Sequence, residues 1–211
     1  MYTLVMVFFF WGFLAASNGI FIPFCKSHFQ LSQFESQLID SAFYGAYFIG
    51  SLLLYLFSVG VGYDILNKIG FKNGIVYGLL ISIIGAICMI PSVSSGEYPL
   101  ILGSFFIIAL GFSLQQTAAN PFAIALGDPR TGAHRLSLAG GVNSFGTTIG
   151  PIIVTLVLFG TVVATSEQVA EAPITSINTL YMILGGVFLL VAGIFFVAKM
   201  PRVTSDEEFE K

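Results

Sequence analysis

The stretch Leu114-Gln115-Gln116-Thr117-Ala118-Ala119-Asn120-Pro121-Phe122 sets two glutamines, an asparagine and a proline inside an otherwise apolar run, 98–126. On a soluble helix such amides would face water. The flanking residues here offer no wet face, so each amide needs a protein partner, a water cavity or a ligand. Ser113, Gln116 and Asn120 recur at i, i+3, i+7 and share one face, which makes them the cavity-facing stripe. Gln115 points elsewhere and reads as a residue that ties helices together.

Three other runs carry polar groups at depth. Trp11, Ala15 and Asn18 share one helix face; Asn18-Gly19 marks a place where that helix can loosen, and Pro23 follows. Gln37, Asp40, Tyr44 and Tyr47 fall at i, i+3, i+7, i+10, again one face. Asn143 lies among Gly140, Gly141 and Ser144, with Thr147 and Thr148 a turn later. Amides donate and accept at once, so they match the paired hydroxyls of a neutral, sugar-like solute. An aromatic such as Trp11 offers a flat apolar platform for a pyranose ring. The competing role is interhelical bonding, which Asn and Gln also perform in membranes. Asp40 is the one carboxylate well inside a run, and an intramembrane acid suits a proton or cation carrier. Its alternative is a shallow, wetted position, or a pairing with Lys26.

Other chemistry is excluded. Neither HExxH nor GxSxG occurs, His28 and His134 fall on opposite sides of the membrane, and Cys25 and Cys88 read as small buried hydrophobes. We therefore expect no enzyme, no cofactor and no metal site.

The elements that must hold these groups follow from composition. Of 211 residues, 56% are hydrophobic and only 9% charged, and the mean hydropathy is +0.92. Globular proteins average about 25% charged residues, whereas a membrane helix needs about 20 mainly apolar ones. Six spans can be read, at about 2–23, 36–59, 73–90, 98–125, 136–160 and 177–198. Pro91, Pro99 and Pro201 punctuate span edges. Glycine pairs at helix-packing spacing, Gly74 with Gly78 and Gly146 with Gly150, read as close-contact sites. Of eight basic residues, Lys68, Lys72, Arg130, Arg135, Lys199, Arg202 and Lys211 fall on one side and Lys26 on the other. That bias puts both termini in the cytoplasm. A secretory signal around Leu14-Ala15-Ala16-Ser17 is the competing reading, and no basic residue precedes its apolar run. The net charge of −3 implies no nucleic-acid partner.

The fourth span resembles the fourth helix of the fucose:proton symporter family of the major facilitator superfamily, which includes glucose/galactose transporters. The stretches Asn18-Gly19-Ile20-Phe21-Ile22-Pro23, Ala42-Phe43-Tyr44-Gly45-Ala46-Tyr47-Phe48 and Asn143-Ser144-Phe145-Gly146-Thr147-Thr148-Ile149 are similar to other signatures of that family. The resemblance implies an all-α membrane fold, six helices forming half of a twelve-helix transporter with a three-plus-three inverted repeat. The bundle would occupy 1–199, and 200–211 would begin the central cytoplasmic linker. A second six-helix half would be the partner in alternating access across the bacterial inner membrane.

The resemblance also implies site residues: Trp11, Asn18, Gln37, Tyr44, Gln116, Asn120 and Asn143 toward a neutral hexose. Fucose symporters carry an acid where this chain has Gly19 and a glutamate where it has Gln116. Asp40, where many relatives carry glutamine, is then the candidate coupling residue, with a proton or sodium as the ion, or with no coupling at all. The loop after the second helix keeps Lys68, Gly70 and Lys72 of the superfamily's gating motif, and Asp64 would supply its acid from one turn earlier. A sensor, a scaffold or an inactive half that does not transport is the alternative function.

Overall fold

The computed structural model describes residues 1–200, all helix and connecting loops. Six long helices carry the fold: α1 (Tyr2–Phe29), α2 (Gln33–Val61), α4 (Phe71–Ser95), α5 (Tyr98–Ala125), α6 (Gly132–Phe159) and α8 (Ser176–Val197). Two short ones, α3 (Ile65–Ile69) and α7 (Ser166–Glu171), lie in the connections after α2 and α6. Each long helix has the length and apolarity to cross a bilayer. Apart from Met200, the linker expected at 200–211 lies outside the described residues.

α1, α2, α4 and the start of α6 run past the spans read from hydropathy because their caps lie beyond the apolar runs, whereas α5 coincides with its span and α8 agrees within one residue. Ser32 and Glu35 form a capping box that starts α2, with reciprocal bonds of 3.2 and 2.8 Å. Gly96 and Gly160 stop α4 and α6 with φ of 71°, a left-handed conformation that costs glycine nothing.

Two expectations about helix ends fail. The first helix was to loosen at Asn18-Gly19 and end near Pro23, and Pro91 was to mark a span edge. Instead Pro23, Pro91, Pro121 and Pro151 all sit inside continuous helices. Within a bilayer, breaking a helix would leave several backbone groups unpaired, whereas a proline removes a single N–H.

Packing pairs the helices across the sequence. α1 lies along α6, α2 along α5, and α4 between α5 and α8. In a three-plus-three repeat α1 corresponds to α5 and α6 to α2, so the first two pairs are counterparts. Glycines set the closest approaches. A Cβ on Gly12 would fall on the Asn143 carbonyl, one on Gly146 on the Phe9 carbonyl, and one on Gly150 would come within 2.5 Å of the Phe13 carbonyl. A Cβ on Gly78 would likewise come within 2.5 Å of the Gly111 carbonyl, so the absent side chain lets α4 close on α5. Packing of this kind replaces the hydrophobic effect between helices in lipid. Aromatic rings fill the middle: Phe21 of α1 stacks on Phe105 of α5, which stacks on Phe43 of α2, with centroids 5.8 and 5.6 Å apart.

Candidate functional site

Asn18 and Asp40 come together. The Asn18 Nδ2 donates to Asp40 Oδ1 at 2.8 Å, joining α1 to α2, and Asn18 is almost wholly buried while Asp40 is half-buried. Lys26 donates instead to Gln33 Oε1 at 2.6 Å, so the acid's hydrogen-bonded neighbour is an amide on the opposite helix. Trp11 lies two turns from Asn18 on the same face of α1. Its ring is 4% exposed and packs 4.5 Å from that of Phe8. The indole N–H has no hydrogen-bond partner among the described residues. A buried orphan donor is unusual, because most such groups are paired with protein or water.

The other expected residues occupy three helices. On α2, Gln37 and Tyr44 are exposed and Tyr47 is half-buried against Phe43, ring centroids 5.2 Å apart. Ser51 and Tyr55 extend this exposed stripe toward the end of the helix, at positions i+7 and i+11 from Tyr44. On α5, Gln116 and Asn120 are half-buried. On α6, Asn143 is half-buried, and its Nδ2 donates to the Phe8 carbonyl of α1 at 2.9 Å. Asn143 therefore binds α1 to α6 with one end of its amide.

Ser113 does not share the setting of Gln116 and Asn120. It is 1% exposed and donates to the Tyr47 carbonyl at 3.1 Å, with Ser51 Oγ 3.2 Å away, so it belongs to the α2/α5 seam. Gln115 is equally buried and donates to Ser82 Oγ of α4 at 3.2 Å, in keeping with the tying role its face suggests. Periodicity grouped Ser113 with its neighbours because a 28-residue helix presents more than two environments, and i, i+3, i+7 spans a broad arc.

The loop residues have local roles. Asp64 caps α3, its carboxylate accepting from Leu66 N at 2.8 Å. Lys68 donates to Tyr63 Oη at 3.1 Å, its ammonium 4.8 Å from the centre of that ring. Gly70 turns the chain into α4 with φ of 80°. Lys72 reaches the end of α8, donating to the carbonyls of Ala198 at 2.7 Å and Phe196 at 3.2 Å. A cation at a helix C-terminus satisfies orphan carbonyls and opposes the helix dipole.

Arg135 was missed as a structural residue. Its guanidinium donates to the Ala123 carbonyl at 2.8 Å, to the Ile124 carbonyl, to the Asp128 carbonyl at 3.1 Å and to Thr131 Oγ1 at 2.6 Å. It thereby closes the C-terminal end of α5 from the first turn of α6. The usable signal was a cation after the turn that follows a helix end, within reach of that helix's last carbonyls.

The sequence matches the Major Facilitator Superfamily over residues 3–211. A glucose/galactose transporter of Brucella abortus (biovar 1, strain 9-941) is 38% identical over 205 residues, covering 97% of this chain and 47% of that protein. The L-fucose-proton symporter of Escherichia coli (strain K12) is 33% identical over 215 residues, covering 96% of this chain and 47% of that protein. The crystal structure of the transporter FucP in its outward conformation superposes with a TM-score of 0.73 at 31% identity, over 97% of this chain and 50% of FucP. The chain thus spans about half the length of the curated relatives it matches. Six apolar helices packed as in half of FucP, together with a family match along nearly the whole sequence, show that this multi-pass membrane protein belongs to the Major Facilitator Superfamily, a family of transporters and not of enzymes.

Proposed function

We propose that this chain is one six-helix half of a transporter for a neutral hexose-type sugar, working by alternating access with a second six-helix half. The observation that carries the reading is the Asn18–Asp40 bond, with a buried indole N–H two turns along the same face of α1 and amides at depth on α5 and α6. Polar groups at the middle of membrane helices are costly unless they face a cavity, a partner or each other. The names of the relatives, one a glucose/galactose transporter and one an L-fucose-proton symporter, point to the same solute class.

In this mechanism Asn18, Gln37, Tyr44, Gln116, Asn120 and Asn143 exchange water for sugar hydroxyls, and the Trp11 N–H takes a hydroxyl or an ordered water. The two bundles then rock about the site. Asp40 is the coupling residue, exchanging its bond from Asn18 for a proton or a sodium ion. The basic loops face the cytoplasm of a bacterial inner membrane, and Asp64, Lys68, Gly70 and Lys72 form the gating loop there.

The test is uptake of labelled glucose, galactose and fucose into proteoliposomes holding this chain with a co-expressed second half. Uptake of at least one hexose, with Gln116→Leu lowering it about tenfold, is expected. No hexose uptake overturns the transport reading, and sugar binding without flux would favour a sensor. Asp40→Asn should flatten the dependence of uptake on external pH or sodium. An unchanged profile removes Asp40 from coupling.

A further inference from the structure

The Asn18–Asp40 bond fixes which way an amide faces. An ionised carboxylate accepts hydrogen bonds and cannot donate them, so Asn18 can meet it only through Nδ2, as it does at 2.8 Å. Asn18 Oδ1 is thereby turned away from the acid, and it has no hydrogen-bond partner among the described residues. Nor is it sealed: the buried side-chain atoms left without a partner among the described residues are Trp11 Nε1, Gln115 Oε1 and Asn178 Oδ1. The free end of the Asn18 amide therefore opens out of the packed core. Of the amides proposed to meet a sugar, Asn18 alone is bonded to an ionisable group among the described residues, whereas Asn143 is bonded to a backbone carbonyl.

We propose, resting on the function given above, that the Asn18 amide turns over when a cation reaches Asp40, so that the end it offers the sugar changes from an acceptor to a donor. A proton on Asp40 makes an O–H that donates, and its partner on Asn18 is then Oδ1. A sodium ion on the carboxylate selects the same atom, since it binds oxygen and is repelled by N–H. Either cation leaves Nδ2, with its two N–H groups, to face the sugar. The turn is about the Cβ–Cγ bond, a broad and roughly two-fold torsion. The two ends of an amide are similar enough to exchange places in one buried space. The other ionisable groups around Asp40 do not bond it. Lys26 of α1 donates to Gln33, Tyr98 of α5 donates to the Glu35 carbonyl, and Glu35 caps α2. His28 lies against the rings of Phe24 and Phe29, and Cys25 is buried two turns beyond Asn18. Tyr44 and Tyr47 follow Asp40 by one and two turns of α2, and Asp64 and Lys68 lie at the other end of that helix.

The test uses this chain in lipid nanodiscs, with isotopically labelled asparagine, followed by NMR through a pH series and a sodium series. Asn18→Ala identifies the Asn18 signals by their loss. In one of the two series the Asn18 amide protons should move upfield as their bond to the carboxylate is lost, and Cγ should move as Oδ1 gains a partner. Asn67, Asn73, Asn120, Asn143 and Asn178 are the internal controls and report whether Asp40→Ala has folded. Stationary Asn18 signals in both series overturn the proposal, as does the same movement in Asp40→Ala. Moving protons with a fixed Cγ mean that the bond breaks without the amide turning, which also overturns it. These readouts need no transport, so they decide the matter even if no hexose is taken up. In proteoliposomes with the second half, the cation should change the half-saturating sugar concentration about fivefold or more. Asn18→Ala should lower uptake and abolish that change, whereas Gln116→Leu should lower uptake and keep it. An undiminished cation effect in Asn18→Ala shows that the amide does not link cation to sugar and overturns the proposal.

Discussion

The pairs α1/α6 and α2/α5 are counterparts within the bundle, yet their backbones approach to different degrees. α1 and α6 meet backbone to backbone at Gly12, Gly146 and Gly150, tied further by the bond from Asn143 to the Phe8 carbonyl and by the ring contacts Phe9–Phe145 and Phe24–Phe159. α2 and α5 meet through side chains: the Ser51–Ser113 hydroxyl pair, the bond from Ser113 to the Tyr47 carbonyl, and the stacked rings of Phe43 and Phe105. Half of the most apolar stretch of α1 is buried, against 11% of that of α2. The tightly fitted pair fixes a frame, while the side-chain-held pair leaves α2 free to present Gln37, Asp40 and Tyr44. A helix that offers polar groups to a solute or an ion has to keep a face unpacked, and in the function proposed above α2 has that part.

The largest expected effect tests the backbone contact. Gly146→Ala places a methyl against the Phe9 carbonyl and should destabilise the bundle by about 2–3 kcal/mol. Gly45→Ala on α2 meets nothing within 4 Å and should change stability by less than about 0.5 kcal/mol. Thermal unfolding of both variants in one detergent measures the difference; equal shifts would break the comparison.

Arg135 joins the two pairs, since it sits on α6 and holds the end of α5. Arg135→Ala should cost about 1.5–3 kcal/mol through its lost charge-assisted bonds, less where solvent replaces them. Limited proteolysis should then cut the connection around Asp128 faster than in the parent chain. Arg135→Lys should rescue only part of this, because an ammonium cannot reproduce the planar fork. An unchanged cleavage rate in the alanine variant would show that α5 ends without help from α6.

The smaller effects separate the two kinds of polar tie. Asn143→Ala should cost about 1 kcal/mol, and Ser113→Ala about 0.6 kcal/mol, the average for a polar bond between membrane helices. If Ser113→Ala proves the costlier by equilibrium unfolding, α2 is held more by its hydroxyls than by its aromatic rings.

Much of the fold was legible because hydropathy acts locally. Each run such as 98–125 must become a helix in lipid wherever its neighbours lie, since its backbone has no other partner. The α2 stripe was legible for the same reason: Gln37 and Tyr44, seven residues apart, share a face of any helix. Pro23 and Pro91 misled because proline's local preference to end a helix yields, in a membrane, to the cost of exposing backbone. Ser113 misled because its periodicity matches that of Gln116 and Asn120 while its nearest helix differs. Arg135 left only a weak trace, as its four acceptors belong to the end of one helix and the turn after it.

The sequence by itself determined six membrane helices, their approximate ends and the faces on which polar residues fall, since these depend on local composition and the pitch of one helix. Only the tertiary structure decided which helices pair, that Asn18 bonds Asp40, that the Trp11 indole N–H is buried without a partner among the described residues, and that Lys72 and Arg135 close the ends of other helices. Those outcomes depend on distances between residues far apart in the chain, and helix packing through glycine notches, which no single helix encodes, sets those distances.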